Sequence, residues 1–333
     1  MRLLWLLATA GCSFQIGDGR ATSDGAPDDT RRDASTGDAR TSDWWDPAWS
    51  HRLPLEIAST QPLGLGFQIG IKHDLDGADS PCAGSRDQVR VVRNHTTEVP
   101  RVIDELGGDE WIWFRLSAPL AAGASGPSEY WLYCGNPAAG AAPSAPSDVF
   151  EMFDDFTGTI FQQWSTRGAI EIANGAVTLP DGAAIHSTRT FSPGTATDFV
   201  LKASPQALAD PWFWGGFEVG FTTTPPWVIW HAEDPNQIKQ EAAVASTETA
   251  MGQRTLDANP HLYGIEHYGT SARFRHDNEP VGTIAYGGTI GQQLNVRFDN
   301  WDSPGPIEIH MVRVRQAIEP VPSITVEVAE TRP

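Results

Sequence analysis

Four tryptophans crowd into the segment PWFWGGFEVGFTTTPPWVIWH, which spans residues 211–231: Trp212, Trp214, Trp227 and Trp230. An exposed indole offers a flat apolar face on which the C–H surface of a sugar can stack, and its N–H stays free for a polar partner. These four are the candidate ligand-binding residues. Trp212 follows one proline and Trp227 follows two, so both are expected in loops and exposed. Trp214 and Trp230 lie in strand-like runs, where core packing competes with binding. One carboxylate, Glu218, shares the segment and stands alone on its strand. Cleavage of a glycosidic bond needs two carboxyl groups in different roles, so no catalytic residue is assigned.

Other reactive groups point to no further site. The chain has neither an H-E-x-x-H zinc motif nor a G-x-S-x-G nucleophile elbow. His186, His231, His261, His267 and His276 show no recognised ligand spacing, and structural roles are expected for them, so no metal site is assigned. No cofactor is expected. Calcium is the one ion that acidic loops leave open, although there is no EF-hand loop and no acidic nonapeptide repeat. The formal net charge of -19 excludes a nucleic-acid binder, which needs lysine and arginine patches to meet phosphates.

The elements that must carry these residues are strands. Gly and Pro number 32 and 25 among 333 residues, and short alternating runs lie between Gly, Pro and Asp clusters. That pattern predicts an all-β protein, long enough for two domains. The stretch HLYGIEHYGTSARFRHDNEPV, residues 261–281, predicts a hairpin turning at Gly269-Thr270. This register sets Ile265 against Phe274 and Tyr263 against His276 on an inner face, with Glu266 against Arg273 on an outer, solvent-facing one. A second turn is expected at Asp277-Asn278 and a third at Asn174-Gly175.

The hairpin resembles the back-sheet hairpin of concanavalin A-like jelly rolls, a group that includes laminin-G-like domains, legume lectins and some glycanases. The run Phe153 to Gly158 followed by Trp164, and the final strand His310 to Arg315, extend that resemblance over roughly residues 149–330. The glycanases of the group carry Glu-x-Asp-x-x-Glu, which is absent here. Upstream, Trp49 and Arg52, Arg86–Arg90, Glu98–Pro100, Trp111–Phe114 and Tyr130–Pro137 fall in the order of a family known only as domain of unknown function 2341, over about 44–147. Ser85 stands where that family has Gly, and Cys134 stands where it has Tyr. The family brings no established activity. Within this part, Arg86 and Asp87 are expected to serve structure rather than ligand reading. Trp111 and Trp113 alternate with Ile112 and Phe114, which predicts a central strand buried on both faces.

The N-terminus, MRLLWLLATAGC, resembles a bacterial lipoprotein signal, with Arg2 ahead of a short apolar run and Ala10-Gly11 before Cys12. Thr9 stands where such signals usually have Leu, and a plain secretory signal is the alternative. Cys12 is the expected lipid-attachment residue, and Ser13 after it favours the outer membrane by that resemblance. Residues 13–43 read as a disordered tether. With Cys12 lipidated, Cys82 and Cys134 make the even count expected of an exported protein with one disulfide; two buried thiols are the alternative.

The expected organisation is therefore a signal at 1–12, a tether at 13–43, a β-sandwich at 44–147 and a concanavalin A-like jelly roll at 148–330. The expected function is that of a tethered, non-catalytic cell-surface protein that binds glycan or another surface ligand. An atypical glycan hydrolase or lyase, and a structural spacer in an envelope assembly, are the alternatives.

Overall fold

The computed structural model describes residues 44–332, save 76, 78–79, 85, 107–108, 124–128, 143, 159–161 and 223. Cys12 and the tether at 13–43 lie outside the described residues. Residues 43–333 form one compact unit, and it is almost entirely β. Within it stand two β-sandwich modules, the second a jelly roll.

Turn chemistry sets the registers. Asn174 and Gly175 both take left-handed φ, +54° and +71°, between strands Glu171–Ala173 and Ala176–Leu179. Asp277 and Asn278, at +48° and +66°, do the same between Ser271–His276 and Glu279–Ala285. Such pairs match the right-handed twist of strands, and Asn and Asp tolerate the conformation well. In the hairpin His261–His267 with Ser271–His276, Tyr263 faces His276, Ile265 faces Phe274 and Glu266 faces Arg273, the register read from the sequence.

The second module packs two sheets face to face. The back sheet has the order Glu171–Ala173, Ala176–Leu179, Ile307–Gln316, Thr195–Ala203, His261–His267, Ser271–His276, Glu279–Ala285, with Met152–Asp154 added to Ile307–Gln316. The front sheet has the order Thr247–Thr255, Gln237–Val244, Trp227–Ala232, Phe213–Glu218, Leu294–Asn300, Ala183–Phe191, Trp164–Arg167. Between them lies one apolar core, including Phe199, Phe213, Phe217, Trp230, Phe274 and Phe298. Strand alternation turns every second front-sheet side chain away from this core, and those outward positions build the site described below.

The first module is a smaller sandwich. One sheet has the order Ser323–Val326, His51–Ala58, Tyr130–Cys134, Arg90–Arg93, Thr97–Val99; the other sets Asp109–Arg115 between Gln68–Lys72 and Arg101–Leu106. Cys82 and Cys134 are joined as a disulfide. Arg86 is paired with Glu105 and Glu110, and Arg101 donates to the Asp87 carbonyl at 2.7 Å, so this stretch serves local structure.

Two expectations need correction. The chain does not leave the first module for good near residue 147. Ser323–Val326 and Glu330–Thr331 return to pair with His51–Ala58, and Ile324 and Val326 pack on the first module's core. The outer face of the back sheet is also not solvent-facing. Glu266 is 2% exposed, because the first module covers it. There Asp198 accepts from Arg275 at 2.6 Å, Arg313 at 2.9 Å and Arg315 at 3.2 Å, while Glu266 accepts from Arg273 at 2.7 Å and from Arg315 at 3.0 Å. Arg313 also reaches Asp104 of the first module and lies 4.5 Å from the ring centre of Trp113. Trp113 belongs to the central strand, whose other face buries Ile112 and Phe114. Buried charges tolerate desolvation only when partnered in this way.

Candidate functional site

The outward face of the front sheet carries a cleft of about 430 Å³. Its floor follows from cross-strand register. Trp214 lies opposite His231 on one side and opposite Asp299 on the other. Ile229 lies opposite Glu241, and Arg297 opposite Gly216. Gly216 has φ +153°, and a Cβ there would come within 2.4 Å of the Val228 carbonyl oxygen, so the position demands glycine. On the cleft side the Trp214 indole N–H donates to the Glu218 carboxylate at 2.9 Å.

Three of the four candidate tryptophans converge here. Trp212, Trp214 and Trp227 line the cleft, joined by Trp301, which the sequence reading did not select. Trp212 and Trp301 are 41% and 45% exposed, so both present ring surface to a ligand. Trp214 stacks on Trp301 at 6.3 Å and 26°, and its edge meets His231. Trp227 is held by its indole N–H, which donates to Glu241 at 3.1 Å. Trp230 is a correction: it is fully buried between the sheets, donates to the Gly264 carbonyl at 3.3 Å and touches no part of the cleft. In the run Trp227–Ala232 each alternating set carries a tryptophan and an aliphatic residue, and His231 alone marks the outward one.

Two glutamates of opposite electrostatic character share the cleft. Glu218 is 2% exposed. Burial drives its pKa up to about 7, with Asp299 nearby adding to the rise, although Arg297 at 2.8 Å pulls the other way. Arg297 divides its charge between Glu218 and Asp299, and Arg167 also holds Asp299 at 2.8 Å. Glu241 is buried too, which opposes its charge. Its bond to His231 Nδ1 at 2.9 Å and the Lys239 ammonium at 3.3 Å outweigh that and hold its pKa below the ordinary value. Near neutral pH Glu218 is therefore partly protonated, while Glu241 is ionised and only accepts. Glu233 and Glu248 complete the acidic rim.

Sequence reasoning missed Glu241, Glu248 and Trp301. The signal for Glu241 is the alternation of Ile238 and Ala242 inward with Lys239 and Glu241 outward in Gln237–Val244. The next strand, Thr247–Thr255, is almost wholly exposed and reads as a loop. Trp301 directly follows Leu294–Asn300 and carries no local signal. Elsewhere, His267 meets Tyr286 at 2.8 Å inside the core.

Comparison with known proteins adds the following. A comparison with curated proteins finds no match. Among solved structures, a glycosyl hydrolase family protein from Mycobacterium fortuitum is similar at 14% identity and a TM-score of 0.39, over 50% of this chain and 99% of that one. The endo-beta-1,3-glucanase of Pyrococcus furiosus is similar at 12% and 0.40, over 51% and 95%. The Bacillus licheniformis beta-glucanase is similar at 13% and 0.40, over 50% and 97%. At the level of sequence families, residues 86–167 match the family described as Domain of unknown function (DUF2341), overlapping the expected 44–147 from Arg86 onward and running past it into the strand Trp164–Arg167 of the jelly roll.

Proposed function

We propose that the chain binds a carbohydrate in the tryptophan-glutamate cleft and acts as a tethered surface protein rather than a catalyst. The observation that carries this reading is the convergence of four indoles, two of them well exposed, on one open cleft with fixed polar groups between them. Sugars present apolar C–H faces beside hydroxyl groups, which need stacking surface and hydrogen-bond partners together. The cleft volume falls within the roughly 300–1,000 Å³ range of small-ligand sites.

The test is a glycan-array screen of the wild type beside the double variant Trp212→Ala/Trp227→Ala. Loss of the wild-type signal in a folded double variant supports the cleft. Wild-type affinity in that variant places the ligand elsewhere.

A second reading, hydrolysis, is favoured by the unlike ionisation of Glu218 and Glu241. A carboxyl that titrates near pH 7 in the same cleft as an ionised one is a pairing in which one can act as acid and the other as base or nucleophile. Release of reducing ends from a bound polysaccharide, abolished by Glu218→Gln, would favour it over pure binding. Attachment to the outer membrane through Cys12 completes the proposal. Cys12→Ala should move the protein from the membrane to the soluble fraction, and unchanged fractionation would refute the anchor.

A further inference from the structure

We propose that His261, His276 and Asp277, at one end of the back-sheet hairpin, form a binding site for a divalent transition-metal ion of the zinc class. One ligand atom from each of the three lies within 4.8 Å of the others. The Asp277 carboxylate is oriented for the task. Its Oδ1 accepts the Leu262 N–H at 3.0 Å, which leaves Oδ2 facing both rings, 2.8 Å from His261 Nδ1 and 3.4 Å from His276 Nδ1. In a tetrahedral zinc centre with bonds of about 2.0–2.1 Å, neighbouring ligand atoms stand about 3.3 Å apart. The two separations fall on either side of that value.

The surroundings also fit a metal ligand set. His261 Nε2 lies 3.2 Å from Asp257 Oδ1, and Asp257 is itself held by the Asn259 N–H. A metal-bound histidine commonly gives its second ring N–H to a carboxylate, which fixes the tautomer and the ring plane. The imidazoles of His261 and His276 stack with centroids 4.9 Å apart and planes 28° apart. An ion bound to the three facing atoms leaves the His261 Nε2–H for Asp257. All three side chains are part-buried.

Two imidazoles with one carboxylate suit zinc, nickel or copper, whereas calcium takes oxygen ligands. The site is separate from the cleft. His276 stands 6.2 Å from Trp230, whose strand turns Ile229 and His231 to the opposite face. A bound ion would clip the strand His261–His267 to the turn that follows Ser271–His276, behind the cleft.

The experiment uses the full chain, expressed without a polyhistidine tag and stripped with chelator. Calorimetric titration with Zn(II) should show one equivalent, bound at least tenfold more tightly than in His276→Gln or Asp277→Asn, and titration with Ca(II) should show no comparable site. Loading with Co(II) should give the visible absorption of a tetrahedral centre, lost in both variants. Each variant is first checked for metal-free thermal unfolding like the wild type, with His261→Gln as the replacement if one fails to fold. No Zn(II) uptake by folded wild type, or uptake unchanged in the variants, would overturn the proposal.

Discussion

Glu218 is the residue whose environment has the clearest consequence. Its pKa is raised to about 7 by burial, with Asp299 adding to the rise. The folded state therefore keeps a proton that the unfolded chain loses near pH 4.5. Stability from this group is highest below the unfolded value and declines as pH rises towards 7, by at most about 3 kcal/mol. Glu218→Gln should flatten that decline, so the melting temperature of the variant should fall less than that of the wild type between pH 5 and pH 8. Parallel slopes would show that Glu218 is ionised throughout. Glu266 and Asp198, on the covered face of the back sheet, have the opposite sign. Glu266 is buried, which works against its charge, but Arg315, Arg275 and Arg273 pull its pKa down to about 2. Its contribution is present above about pH 4.5 and is lost as pH falls towards 2. Legibility in the sequence differed sharply between residues. Proline flanks pointed to Trp212 and Trp227 as exposed loop residues; Trp212 is one, whereas Trp227 opens the strand Trp227–Ala232 and is only partly exposed. Trp214 and Trp230 stand on adjacent strands, yet one faces the cleft and one the core, which only register decides.

At the scale of elements, turn residues were the most legible signal. Asn174-Gly175 and Asp277-Asn278 sit where left-handed backbone is required, and the hairpin register followed from pairing apolar with apolar and charge with charge. The strands Gln237–Val244 and Thr247–Thr255 were not legible as site elements. Their outward side chains answer to the cleft and to solvent rather than to a core, so the apolar alternation is faint. The reading of Glu266 and Arg273 as a solvent-side pair had the pairing right and the surroundings wrong. Charge pattern cannot reveal that another module covers the face. That coverage makes Asp198 an anchor: three arginines converge on it, and its pKa is driven far below the carboxylate range despite full burial. Asp198→Ala leaves those guanidinium groups buried with less countercharge. It should cost about 3–5 kcal/mol in denaturant unfolding; a loss under 1 kcal/mol would mean that the network is dispensable.

At the scale of the whole molecule, the arginine-carboxylate network and the C-terminal strands that cross back to His51–Ala58 both tie the two sandwiches together. The all-β class was legible from composition and turn spacing, and the two-module plan from length and family resemblance, whereas the return of the C-terminus was not. Ser323–Val326 is four residues long, and its partner lies some 270 positions earlier. A chain ending at Val321 should lose the packing of Ile324 and Val326, with a cost of about 2 kcal/mol or more and faster proteolysis in the first module. Unchanged stability would mean that these strands are ornamental. The central claim is that sugar meets the chain on the outward face of the front sheet. Its most direct test is a titration of the full chain with a panel of soluble oligosaccharides, observed through assigned indole N–H resonances by NMR. The account predicts that Trp212, Trp214, Trp227 and Trp301 shift together with a single affinity while Trp230 stays still. Shifts confined to Trp44, Trp45, Trp49 or Trp131 of the first module, or a panel that moves none of the cleft indoles, would contradict it.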